Sequence, residues 1–456
     1  MVAHATSGAT KTIPGIKELP LFGSMFEHNN HRLDLYQRVV QQYGDIAGYH
    51  YGPFPMVQVN SSELVHTVLV EHANDFDKGE ALHQAFTPII GQGLFISEGA
   101  LHRQQRKIMA PIFQPRHILS YADTMISYGQ QIQQGWRDGA IIDIGREMTQ
   151  ATMSIVGKVL FDADMFTESD ELGAAMTTVL EQVNYGLSHF FPIPLSWPTP
   201  RSRRARRALA VLDGRINKMI AERRAVSDEK NDLLSILLHT SEDGSTMSNQ
   251  QLRDEAITLF AAGHETTATA LTWAWCLLAT YPGIYQKMRD EVDSVLQDCI
   301  PTYADLARLP YTLQVFKEAM RLYPPAYAVT RTALHDLQLD GYPIHRGELV
   351  ILPIYAIHRR PDYFPDPAKF EPERFTQVNE KHLPRYAYMP FGAGPRICIG
   401  NHFAMMEGHL LLAILAQHVT FELQPGQQVE PDPTKTITIR PNHPIKMRVV
   451  RRMVPG

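Results

Sequence analysis

Between Ser248 and Pro282 the chain carries one uninterrupted helical pattern, and that length limits the folds open to it. Ser248 and Gln251 form a capping-box pair, in which each side chain accepts the other residue's backbone N–H. Pro282 supplies the stop, because its ring cannot continue a helix that precedes it. At a rise of ~1.5 Å per residue, about 34 residues make a rod of roughly 50 Å, enough to cross a whole domain. Helical patterns dominate from about residue 100 to 300. A further helix runs from Tyr311 to Tyr323 and stops at Pro324-Pro325, and the last follows Gly400 to about His418. Alternating segments at Ile46–Tyr51 and Met56–Asn60, joined at Gly52-Pro53, predict a strand pair. Short β-type runs follow at Ala328–Thr332, Leu337–Leu339 and Glu348–Leu352. The expected fold is mainly α with a minor β-sheet lobe, its β-rich parts at about 44–62 and 328–353. No linker-like composition divides residues 1–456, so one domain is expected, preceded by a flexible polar tail over residues 1–13.

A net charge of -5 leaves no global footprint for nucleic acid or an anionic membrane. The basic run Arg201–Arg207 reads as a solvated helix face. No segment has the apolar length of a signal peptide or membrane span, so a soluble, cytoplasmic protein is expected. Prolines exclude helix from Phe190 to Pro200, an apolar loop suited to packing, to a lid or to a shallow membrane contact. The 3 cysteines, Cys276, Cys299 and Cys398, lie too far apart for a disulfide scaffold or a Cys-rich zinc site.

The richest segment is Phe391-Gly392-Ala393-Gly394-Pro395-Arg396-Ile397-Cys398-Ile399-Gly400. Its glycines permit positive φ and close backbone approach. Cys398 precedes an apolar helix, whose unpaired N–H groups and dipole favour a thiolate. Such a thiolate could be a nucleophile, a metal ligand or neither. Zinc would need more ligands at short spacing, and no base for a nucleophile stands in the loop. A haem thiolate needs one sulfur, a tight loop and a cation for a propionate, which Arg396 supplies.

These residues resemble, at every defining position, the haem-binding loop of the cytochromes P450. The resemblance implies Cys398 as the proximal iron ligand of haem b, held between the long central helix and the cysteine-loop helix. Phe391, Gly392 and Gly400 would shape the haem seat. Ala262-Gly263-His264-Glu265-Thr266-Thr267, in the middle of the long helix, is similar to the family's oxygen-activation segment. Glycine and adjacent threonines are poor helix-interior residues; Gly263 would let a flat ligand approach, or would mark a packing spot. Thr266 would hydrogen-bond dioxygen or its partner water, and Glu265 would relay protons from solvent. His264 reads as packing or an adjunct to that relay.

Glu318 and Arg321 look like the family's structural ion pair, completed by Arg374. Arg331, His102 and Arg106 would bind propionates, although His102 stands where the family usually has tryptophan. Arg103 and Lys107 would face an acidic electron carrier.

Leu94, Phe95, Ile96, Phe260, Ala261, Ala328 and Val329 would line an apolar pocket, predicting a fatty acid, terpenoid, steroid or polyketide-like substrate. No flavin or iron–sulfur module follows, so ferredoxin or flavodoxin with its reductase is expected to supply electrons, as in a bacterial-type monooxygenase. The alternatives are a peroxygenase or isomerase on the same fold, whose members usually lose the acid–alcohol pair, and a non-enzymatic haem sensor.

Overall fold

The computed structural model describes residues 11–189, 191–225, 232–239 and 247–452. The first ten residues of the expected tail and Phe190 of the apolar loop lie outside them. The chain folds as two compact units, one of residues 1–80, 326–368 and 382–398, the other of 81–325, 369–381 and 399–456.

The first unit holds both β-rich stretches. Ile46–Tyr51 and Phe54–Val59 pair antiparallel across Gly52-Pro53, as their alternation predicts. Leu349–Leu352 adds in parallel to the second strand, followed by Val329–Ala333 and then Phe76–Asp77. Val350, Ile351 and Leu352 are buried, as expected of a central strand covered on both faces. Val57, Val59, Val65, Val68, Val350 and Leu352 share one core beneath the sheet.

The second unit is largely helical. Its axis is the long helix, Asn249–Thr280. Ser248 Oγ accepts from Gln251 N at 3.2 Å, and Gln251 Oε1 accepts from Ser248 N at 3.0 Å, so the predicted capping box is formed. Pro282 opens the next helix, Pro282–Leu296. Burial on almost every side explains why the helix shows no single apolar stripe. The helices Ile144–Phe161 and Asn401–His418 both pack on it. Residues 191–199 contain no helix, and the next one runs Pro200–Ala225. Its basic run is a solvated face: Arg201, Arg203, Arg204, Arg206 and Arg207 are exposed while Ser202, Ala205 and Ala208 are buried. Among the described residues, no helix is long and apolar enough to cross a membrane.

Candidate functional site

In the first unit the cysteine loop is fixed by backbone bonds. Cys398 N donates to Phe391 O at 3.0 Å, and Ile397 N donates to Gly394 O at 3.0 Å. Gly392 N donates to Met389 O at 3.0 Å, and Met389 N donates to His358 Nε2 at 2.9 Å. Gly394 lies at φ +68°, and a Cβ there would stand 1.8 Å from Leu69 O. Only glycine fits, because the loop rests directly on the π-helical turn Thr67–Glu71. Cys398 itself is exposed.

Three cations gather in the same unit. Strand Phe76–Asp77 pairs with Val329–Ala333, which brings Lys78 into the field of Arg331. Burial holds the Lys78 ammonium well below its usual range, and repulsion from Arg331 and Arg396 adds to this. Burial also lowers Arg331 and Arg396, each to about 10, with Asp77 partly restoring Arg331. Such a crowd of desolvated cations is stabilised by an anion. Lys78 was not anticipated from the sequence, since a lone lysine after a two-residue strand offers no pattern to find.

In the second unit, helix Gly99–Met109 carries His102 and Arg106 one turn apart, buried and partly buried, while Arg103 and Lys107 are exposed. On the long helix, residues 252–260 are mostly buried, and so are 267–278, yet Ala262 is exposed and Ala261, Gly263 and Thr266 are partly so. Thr266 Oγ1 donates to Ala262 O at 2.9 Å, so the open turn has its hydroxyl oriented. Gly263 serves packing: a Cβ there would meet Val156 Cγ2 at 3.0 Å. His264 is core, with its Nδ1 2.6 Å from Phe260 O and its own carbonyl accepting from Thr152 Oγ1 at 3.1 Å; burial lowers its pKa.

Glu265 is buried and gripped. Arg440 Nε donates to its Oε1 at 2.7 Å, a second Arg440 nitrogen reaches Oε2, and Thr438 Oγ1 donates to Oε1 at 2.8 Å. Burial alone would raise this carboxyl, but the Arg440 guanidinium outweighs it and holds Glu265 below the usual range. Neither Thr438 nor Arg440 was anticipated. Their signal was the alternation Thr436-Ile437-Thr438-Ile439-Arg440, which puts the polar residues on one face of an extended segment.

A depressed carboxyl contributes stability that is present above its unfolded pKa and is lost as pH falls through the folded one. Glu265 therefore supports the fold at neutral pH and ceases to in acid, below the ordinary glutamate range. Arg440→Gln is expected to abolish that acid loss, because burial then raises the carboxyl and its ionisation costs stability as pH rises towards neutral. Thermal unfolding measured from neutral to acidic pH checks this, and superimposable profiles would show that Arg440 does not set the charge of Glu265.

Of the expected pocket residues, Ile96 and Phe260 are fully enclosed, Leu94 is nearly so, and Phe95, Ala261, Ala328 and Val329 are at least partly accessible. The Phe260 ring lies against Phe161 and His264. Leu94 is positioned by the long helix, since Leu94 N donates to Glu255 Oε2 at 2.9 Å. Burial pushes that carboxyl up to about 7.

The Glu318–Arg321–Arg374 network is present. Arg321 donates to both Glu318 oxygens, at 2.6 and 2.7 Å, and to Lys369 O at 3.0 Å. Glu318 Oε1 also accepts from Glu371 N at 2.9 Å and lies 3.4 Å from Arg374 Nε. Burial raises Glu318 despite these partners.

A haem suits the residues of the first unit, which offer an accessible thiol on a locked loop and a cluster of cations for its carboxylates. The cytochrome P450 family model matches residues 13–449. Cyclooctatin synthase of Streptomyces melanosporofaciens is 36% identical over 88% of this chain and 88% of its own length. Cyclooctat-9-en-7-ol 5-monooxygenase of the same organism is 31% identical over 91% of this chain and 90% of its own. Pentalenene oxygenase of Streptomyces avermitilis is 30% identical over 96% of both. A match of this extent agrees with what the cysteine loop implied, and the chain belongs to the cytochrome P450 family.

Proposed function

We propose that this monooxygenase inserts one atom of O2 into an apolar, terpenoid-type small molecule in the cytoplasm, with electrons from a ferredoxin or flavodoxin and its reductase. Cytochromes P450 bind haem b through a cysteine thiolate, and the bound haem iron activates O2 with electrons from redox partners. Cys398 would supply that thiolate. Arg331, Arg396, Lys78, His102 and Arg106 would hold the propionates, with Phe391, Gly392 and Gly400 shaping the loop around them.

The observation that carries the reading is Thr266 on an open turn in the middle of a buried helix. Because its proton is committed to Ala262 O, the Thr266 oxygen presents lone pairs to the open side. There it accepts from a water and fixes where that water's other proton points. Glu265, ionised in its Arg440 clamp, takes up a proton and passes it on when the clamp opens. One relative is named for an alkene alcohol and another for an alkene, and neither name carries an acid, which favours the terpenoid class among the four considered. Arg103 and Lys107, exposed on the Gly99–Met109 helix, suit an acidic electron carrier.

Thr266→Ala is expected to retain haem and lower product formation by about 10²-fold, with reducing equivalents appearing as peroxide instead. Parallel assays of reductant consumed, peroxide and product test this. Unchanged coupling would remove Thr266 from the proton path.

A further inference from the structure

Asp254 and Glu255 are neighbours on the long helix, both buried, and both accept backbone N–H groups from one short loop. Gln92 N donates to Asp254 Oδ2 at 3.0 Å, and Leu94 N donates to Glu255 Oε2 at 2.9 Å. Two glycines let the loop come this close. A Cβ on Gly91 would stand 1.9 Å from Asp254 Oδ2, and one on Gly93 would stand 2.0 Å from Thr258 Oγ1. The helix Gly99–Met109 closes the far side, where Gln105 Nε2 donates to Gln92 O at 2.7 Å and Ser97 Oγ donates to Gln105 Oε1. Gly93 O accepts from Ile96 N and from Ser97 N, each at 3.0 Å. Held in this way, Leu94 and Ile96 are buried, while Phe95 between them is exposed with its ring against Phe86.

The two carboxyls differ in their surroundings. Asp254 also accepts from Gln250 Nε2 at 2.8 Å and from Arg253 Nη1 at 3.1 Å. Glu255 Oε1 makes no hydrogen bond among the described residues, and burial raises this carboxyl against the Leu94 N–H. A carboxyl raised in the folded state subtracts from stability once pH exceeds its unfolded value. Packing alone would be better served by an apolar side chain, so what Glu255 contributes is the bond that it accepts.

We propose that Asp254 and Glu255 are specificity-determining residues, a pair of acceptors that fixes residues 91–97 on the long helix and holds Leu94 and Ile96 as a rigid wall against the substrate. The claim rests on the reading of Leu94 and Ile96 as pocket wall. Both acidic residues are positioning residues, acting through the loop backbone. One anchor would leave the segment free to pivot, whereas anchors at Gln92 and Leu94 fix its rotation as well as its place. A wall fixed before the ligand arrives selects by shape, because a misfit is admitted only by breaking a buried hydrogen bond. Freed of one anchor, the loop re-packs around many ligands and discriminates less.

Glu255→Met fills the same space without an acceptor, and Glu255→Gln restores one. In the haem-loaded Met variant, amide hydrogen exchange across residues 91–97 should quicken by about tenfold, the weight of one buried hydrogen bond, at unchanged haem content. The Gln variant should exchange like the parent. Two ligands of haem iron then read the wall: imidazole, and phenylimidazole, which adds an apolar ring. The ratio of their affinities, titrated by the shift of the Soret band, should change by about tenfold in Glu255→Met and return in Glu255→Gln. Unchanged exchange would overturn the proposal, and so would faster exchange with an unchanged ratio. Should Glu255→Met not accumulate, Gly93→Ala decides, because its Cβ against Thr258 Oγ1 lifts the loop and should produce the same two changes. If Leu94→Ala changes the ratio and Glu255→Met does not, the clamp fails alone. If neither changes it, the reading of the pocket wall fails with it.

Discussion

Cys398→Ser is expected to abolish the red-shifted Soret band of the reduced carbon monoxide adduct, the band that gives the family its name, and to reduce product formation to background. The backbone of the loop does not depend on the sulfur. Cys398 N bonds to Phe391 O, and the tight approach is made by Gly394 against Leu69 O. The variant should therefore fold and keep its cluster of cations while losing the thiolate. Without thiolate donation, O–O cleavage is no longer favoured. The carbon monoxide difference spectrum and the haem content of purified protein check the two halves of this statement separately. An unchanged spectrum would exclude Cys398 as the ligand.

The second large effect is expected at Glu318. Its carboxylate is wholly buried, accepts from Arg321 and from Glu371 N, and faces Arg374 Nε at 3.4 Å. Glu318→Ala leaves the Arg321 guanidinium buried without its carboxylate, an error that costs about 3–5 kcal/mol. The expected outcome is a marked fall in the denaturant midpoint and loss of haem incorporation, even though no atom of Glu318 belongs to the haem seat. Replacing Glu318 and Arg321 together by leucine should recover part of the stability, because no lone buried charge then remains. Equal stability of Glu318→Ala and the parent protein would show that the network contributes nothing net.

What could be read from the sequence follows the reach of each signal. The ends of the long helix were legible because Ser248, Gln251 and Pro282 act on their own neighbours. The cysteine loop was legible because its determinants are contiguous from Phe391 to Gly400, and so was the Glu318–Arg321 pair at a spacing of one turn. Arg440 was not, since it meets Glu265 across 175 residues and only the fold brings them together. Lys78 was hidden for the same reason. Gly263 shows a different limit: a missing side chain announces close approach but not the identity of the neighbour, which is Val156 of another helix.

The parallel pairing of residues 56–58 with 349–351 bears on how the chain acquires its shape during synthesis. Everything from 81 to 325 belongs to the other unit and emerges from the ribosome between these partners. The amino-terminal hairpin must therefore wait, with one edge open, until more than three-quarters of the polypeptide has been made. Closing so long a loop is entropically unfavourable, though the penalty grows only slowly with length. The turn Thr67–Glu71 cannot receive Gly394 until later still. The helical unit is finished later than the sheet, because its helix Asn401–His418 is made only after both the last sheet strand, Leu349–Leu352, and the cysteine loop.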